Sequence, residues 1–153
     1  MKIQHLIPST LILISSTTVQ IAATARPLDQ AELWVNYQLE VVIDSQNQQG
    51  YQLMFPRTVA RLARGAQAPK TVLLSPSREY SFVAVCDESC NDVDLIVKDT
   101  RGKIVASDVS DYAIAVVPFV PPSEDRYEIN VKMTKCSVRN CNFGLGVFVK
   151  SNN

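Results

Sequence analysis

Acidic residues crowd one short stretch of this chain. Asp87, Glu88, Asp92 and Asp94 fall within eight residues, and Cys86 and Cys90 bracket the first two. Clustered carboxylates on irregular backbone suit calcium, a hard cation that takes six to eight oxygen ligands. Asp92 and Asp94 are two apart, so on a strand they point to the same face. Asp87 would approach from the loop, and Asp108 or Asp111 from the next one. The candidate cofactor is therefore calcium, held by Asp87, Asp92, Asp94 and Asp108. The competing explanation is a solvated acidic surface, because no EF-hand pattern is present. The clustering belongs to a wider asymmetry. From Cys86 to Glu128 there are ten acidic residues against four basic ones, while the rest of the chain after residue 25 carries a surplus of five positive charges.

The cysteines limit the chemistry further. Cys86 and Cys90 enclose three residues, and Cys136 and Cys141 enclose four. Neither pair is the CxxC of a redox enzyme, and a zinc site would need all four thiolates at an unusual spacing. An even number of cysteines in a small exported domain reads as two disulfides. Four cysteines allow three connectivities. Nearness in sequence favours Cys86 with Cys90 and Cys136 with Cys141, each pair following a strand. Such short loops restrict the unfolded chain little, so the bonds are expected to pin loops more than to hold the whole fold.

The single histidine, His5, lies in an N-terminal stretch that reads as a secretory signal: Lys2, an apolar run from Leu6 to Ala22, and small residues at Ala23 and Ala25. Cleavage after Ala25 would leave a chain with no histidine and a net charge of −1. Ser-His-Asp and Cys-His catalysis then lack their base. The SxxK of Ser-Lys enzymes, GxGxxG and the P-loop are all absent. A glycosidase-like carboxylate pair remains the alternative of a small secreted hydrolase, but no second domain is at hand to form a cleft, and the expectation is that the protein is not an enzyme. Near-neutral charge gives no general pull toward nucleic acid. The uninterrupted apolar core of the signal is too short for a membrane span, and no later segment is long enough. The expected location is secreted or periplasmic.

Elements that could position these groups follow from periodicity. Residues 26–57 are expected to form an N-terminal helix and linker. Asp29 and Glu32 have capping-box spacing, Leu28, Ala31, Val35, Leu39 and Val42 recur at three or four residues, and Gly50 follows the last turn. A rival strand pattern runs through Val35, Tyr37, Leu39 and Val41. Residues 58–153 change to short β-rich runs near Thr58–Ala63, Lys70–Ser75, Glu79–Val85, Val93–Asp99, Lys103–Ser107, Tyr112–Phe119, Arg126–Thr134 and Phe143–Val149, separated by turn residues. Tyr127, Ile129, Val131 and Met133 alternate with Glu128, Asn130 and Lys132, the mark of a sheet with one packed face. The fold class is mainly β, an antiparallel β-sandwich with one N-terminal α-helix.

The order of these strands resembles the bacterial pre-peptidase C-terminal domain over about residues 66–150. The likeness rests on Glu79-Tyr-Ser-Phe-Val-Ala-Val, Asp92-Val-Asp-Leu-Ile-Val-Lys-Asp with Gly102, Val116 to Pro122, Arg126-Tyr-Glu-Ile-Asn-Val-Lys, and Gly144 to Val149. It implies a jelly-roll-like sandwich carried by exported enzymes, non-catalytic, used for substrate binding, targeting or maturation, and in some members bound to calcium. Three features depart from the pattern. Asp125-Arg126 replaces the usual glycine, the two cysteine pairs are additions, and no peptidase domain is attached.

The function expected from these residues is an exported, non-catalytic binding module. Its disulfide-pinned acidic loop and the Cys136–Cys141 hairpin would contact an extracellular protein or polysaccharide. Two other features have sharper readings. Arg57, Arg61 and Arg64 would make a basic face if Pro56 opens a helical turn. Trp34, Tyr51, Tyr80, Tyr112 and Tyr127 could include a sugar-stacking platform, the basis of a carbohydrate-binding alternative, although scattered aromatics are more often core.

Overall fold

The computed structural model of the chain describes residues 29–151; the expected signal segment, residues 1–25, lies outside the described residues. Helix α1 spans Gln30–Gln48. Its start is the expected capping box: the Asp29 carboxylate accepts from the Glu32 N–H at 2.8 Å, and the Glu32 carboxylate accepts from the Asp29 N–H at 3.1 Å. It ends at Gly50, whose φ of 82° places it in the left-handed region that closes a helix.

Among the described residues nine strands follow: β1 (Tyr51–Leu53), β2 (Thr58–Ala63), β3 (Gln67–Leu74), β4 (Tyr80–Cys86), β5 (Cys90–Lys98), β6 (Ile104–Asp108), β7 (Ile114–Phe119), β8 (Asp125–Cys136) and β9 (Asn140–Lys150). One sheet runs β1-β9-β4-β7, with β2 also paired to β9; the other runs β3-β8-β5-β6. All pairings are antiparallel. The chain crosses between the sheets at nearly every connection from β2 to β9, which is the wiring of a jelly roll. The segment expected as linker carries a strand of its own, because β9 is long enough to pair with β2 over residues 140–145 and with β1 over residues 148–150.

Two apolar layers hold this together. Phe82, Leu95, Val97, Tyr127, Ile129, Val131 and Met133 fill the space between the sheets. Val35 and Leu39 of α1 pack with Tyr51, Val83, Val85 and Phe148 on the outer face of the first sheet. Strand β4 is therefore buried at every residue, Phe82 and Ala84 facing the sandwich core and Val83 and Val85 facing the helix. The helix comes so close that a Cβ on Gly144 would lie 2.6 Å from Leu39 Cδ1 and 2.8 Å from Val35 Cγ1. The Phe143-Gly-Leu-Gly146 piece thus has the close backbone approach that glycine in a strand permits.

The basic helical face expected from Arg57, Arg61 and Arg64 is not formed. Thr58–Ala63 is strand β2, paired to β9, as the alternative β-rich reading of the same residues has it. Arg57 forms an ion pair with Glu40 of α1, and Arg61 lies exposed opposite Asn142.

The disulfide-pinned double loop

At one end of the sandwich the β4–β5 turn and the β8–β9 turn sit side by side, because β5 pairs with β8 and β4 with β9. Cys86 bonds to Cys90, and Cys136 to Cys141. Each bond joins a strand of one sheet to a strand of the other, Cys86 on β4 to Cys90 on β5 and Cys136 on β8 to Cys141 on β9. The short loops are therefore clips between the two layers as well as pins for their own turns. Among the described residues no cysteine is free.

Asp87 joins the two turns into one body. Its carboxylate is 4% exposed, accepts from the Asn142 backbone N–H and from Asn142 Nδ2 at 3.1 Å, and accepts from the Ser89 N–H at 3.0 Å. Its own N–H donates to the Asn142 carbonyl at 3.0 Å. A second tie runs from the Ser137 N–H and Oγ to the Ser89 carbonyl, both at 2.8 Å. Gln38 of α1 donates to the Cys86 carbonyl at 2.8 Å, and Arg64 N–H donates to the Arg139 carbonyl at 3.2 Å. A buried carboxylate with three donors is a charge-assisted anchor. Glu88, Val138 and Arg139 face outward at its surface.

The other carboxylates expected at a calcium site go to separate tasks. Asp92 is 1% exposed at a register shift in β5; Lys135 Nζ lies 3.6 Å from its Oδ2, and Oδ1 is buried without a partner. Burial pushes its carboxyl above the usual carboxylate range, and the negative charge of Asp94 adds to this against the pull of Lys135. Asp94 accepts from Thr134 Oγ1 at 2.6 Å and from Lys132 at 3.4 Å. Asp108 accepts from the Ser110 N–H and Oγ with one oxygen and from the Val116 N–H with the other. Burial raises the Asp108 carboxyl, but these hydrogen bonds outweigh it and hold the group below the usual range. Asp87, Asp92, Asp94 and Asp108 thus each meet protein partners of their own, and among the described residues no group of three or more His, Cys, Asp or Glu is placed to hold a metal ion.

Several site residues carried no sequence signal. Lys135 bridges Asp92 and Asp111, reaching the latter at 3.0 Å, and Ser89, Ser137 and Asn142 tie the turns through pairs 48 and 55 residues apart in sequence. Of the aromatic candidates for a sugar platform, Tyr51, Tyr80 and Tyr127 are buried; Trp34 and Tyr112 are exposed, one on α1 and one in the β6–β7 connection. Shallow hollows of about 400 Å³ and 280 Å³ near the Asp99–Gly102 turn are lined by charged residues, among them Asp99, Glu128 and Asp125. Glu128 is paired with Lys98 and Asp99 with Arg101. Among the described residues no helix is long and apolar enough to cross a membrane.

No protein-family model matches the chain, so the pre-peptidase C-terminal resemblance has no such match behind it; what stands of it is a β-rich sandwich. No curated protein matches either. Among solved structures the chain is similar to the crystal structure of Aeromonas hydrophila PliG, a periplasmic lysozyme inhibitor of g-type lysozyme, with 10% sequence identity and a TM-score of 0.44, covering 61% of this chain and 84% of that one.

Proposed function

We propose that the protein is an exported, non-catalytic module that binds an extracellular protein through its disulfide-pinned double loop. The observation that carries this is the cross-tying of the two turns by Asp87. Two disulfides, a buried charge-assisted anchor and the Ser137–Ser89 bonds hold the exposed Glu88, Val138 and Arg139 at one end of a rigid sandwich. Preorganised loops lose little entropy on binding, which is where rigid recognition surfaces gain affinity. Protein donors to Asp87 supply this rigidity. Two disulfides fit an oxidising compartment and so support export.

The pre-peptidase C-terminal motifs support the same kind of module. Asp92-Val-Asp-Leu lies on β5, and Asp99 to Gly102 forms a turn in which Asp99 accepts from the Arg101 and Lys103 N–H groups and Gly102 has a φ of 77°. A non-catalytic role is favoured because His5 is the only histidine and, of the acids near the hollows, Glu128 and Asp99 are paired with bases while Asp125 accepts from Thr100 Oγ1.

A photo-crosslinking residue at Val138 tests the reading against the same residue at Ile104, which lies at the opposite end of β5 and β6 and is 55% exposed. In the extracytoplasmic fraction of the producing cell and its surroundings, a discrete protein adduct is expected from position 138 and none from 104. Equal labelling, or no adduct from the loop, would overturn it.

A further inference from the structure

The four basic residues that the chain carries between Cys86 and Glu128 are Lys98, Arg101, Lys103 and Arg126. All four line two adjoining hollows, of about 400 Å³ and 280 Å³, that share the wall made by Asp99 and Thr100. This is the end of the sandwich opposite the double loop, because β5 leaves that loop at Cys90 and reaches Lys98, while β8 starts at Asp125 and reaches the loop at Cys136. The cations of an otherwise acidic stretch are thus gathered in one place.

The hollows also hold acids, and each of these is engaged. Asp99 accepts from the Arg101 and Lys103 N–H groups, both at 2.9 Å, and from the Arg101 guanidinium at 3.1 Å. Asp125 accepts from the Arg126 N–H at 2.7 Å and from Thr100 Oγ1 at 3.2 Å. Glu128 accepts from Lys98 Nζ at 3.3 Å and from Asn130 Nδ2 at 2.9 Å, both on Oε1, which leaves Oε2 open. Among the described residues the side chains of Arg126 and Lys103 have neither an ion pair nor a hydrogen bond. Arg126 lies in the larger hollow and Lys103 in the smaller, on either side of the shared wall.

We propose that the two hollows form a binding site for an acidic polysaccharide, with Arg126 and Lys103 each receiving a carboxylate of the glycan and Glu128 and Thr71 meeting its hydroxyls. The planar fork of a guanidinium matches a carboxylate, and an ammonium receives one as a point charge. The mixed lining narrows the ligand further. A bare polyanion would be repelled by Asp99, Asp125 and Glu128, and a neutral sugar would leave Arg126 and Lys103 unused. Hydroxyl groups donate as well as accept, so a chain that alternates carboxylates with hydroxyls satisfies the acids and the cations together. Two shallow polar hollows in a row suit an extended chain crossing the surface, whereas a compact small molecule is ordinarily enclosed in a mostly apolar pocket. The site is separate from the double loop, and a glycan seated there leaves no protein adduct at nearby Ile104.

Chemical-shift titration of the purified chain with a short galacturonate oligomer tests the proposal. Two controls of equal length separate its parts: a neutral maltose-series oligomer carries hydroxyls without carboxylates, and oligoglutamate carries carboxylates without sugar hydroxyls. The galacturonate oligomer is expected to bind with a dissociation constant below about 1 mM, at least tenfold tighter than either control, and to move the amide signals of Thr100, Gly102 and Arg126 but not those of Ser89 and Ser137. Arg126→Gln with Lys103→Gln should weaken binding at least tenfold and leave the melting temperature unchanged, while Val138→Glu should leave binding as it is. No binding by about 1 mM, equal binding of either control, shifts confined to the double loop, or affinity that survives the double variant would each overturn it.

Discussion

The Asp87 carboxylate accepts from both the backbone N–H and the side-chain amide of Asn142, a residue 55 positions later in the chain. Through that one pair the turn after β4 and the turn before β9 become a single rigid end of the sandwich. Removing the carboxylate leaves buried donors unsatisfied, and hydrogen bonds to charged groups contribute about 1.5–3 kcal/mol each. Asp87→Ala should therefore lower the unfolding free energy by about 3 kcal/mol, read from urea denaturation, with Asp87→Asn less damaging. A loss under about 0.5 kcal/mol, the scale of an ordinary surface change, would show that the anchor is dispensable.

Helix docking depends on the absence of a side chain at Gly144. Gly144→Ala inserts a methyl where Leu39 and Val35 already sit, and overpacking of this kind costs typically 1–3 kcal/mol. The variant should melt earlier than the parent, and adding Leu39→Val should recover part of the loss, giving a non-additive double-mutant cycle.

Two carboxylates, Asp92 buried and Asp108 half-buried, should give opposite pH dependences. The Asp92 carboxyl is raised in the fold, so its favourable contribution is complete below the ordinary aspartate range and is lost as pH rises through its folded value. The Asp108 carboxyl is lowered, so its contribution is present above the ordinary range and is lost as pH falls through its folded value. Asp92→Asn should then be neutral in acid and stabilising at pH 7, while Asp108→Asn should be destabilising at pH 7 and converge with the parent in acid. Melting curves from pH 2.5 to 7 check both signs.

Loss of either disulfide should cost about 2 kcal/mol, the chain-entropy figure for loops this short. The structural consequence should be local. Hydrogen exchange at the Ser137 and Asn142 amides, which bond across the two turns, is expected to accelerate in Cys136→Ser with Cys141→Ser, while β4 amides stay protected.

Calcium should leave the melting temperature unchanged, because Asp87, Asp92, Asp94 and Asp108 bind separate protein donors. A calcium-dependent rise that disappears in Asp92→Ala with Asp94→Ala would reverse this.

Local rules made much of the fold legible from the residues. The capping box, the Gly50 stop and the Thr58–Ala63 strand follow from short-range chemistry and are present. So do the nearest-neighbour disulfides, since partners four and five apart in sequence can hardly avoid each other. Other features depend on which strands become neighbours, which no local pattern encodes. The apolar residues of α1 recur at helical spacing, yet the close approach over Gly144 buries only Val35 and Leu39 fully, with Val42 and Ile43 packed beside them, and leaves Trp34, Tyr37 and Val41 exposed. The acidic cluster pointed to one shared ligand. Strand pairing instead set Lys132, Thr134 and Lys135 of β8 beside Asp94 and Asp92, and Asn142 beside Asp87, so that each carboxylate met its own donor. Sequence determines which groups are available along each element; the pairing of distant strands determines which of them are satisfied by one another, because hydrogen bonds and ion pairs act over a few ångströms of space whatever the separation along the chain.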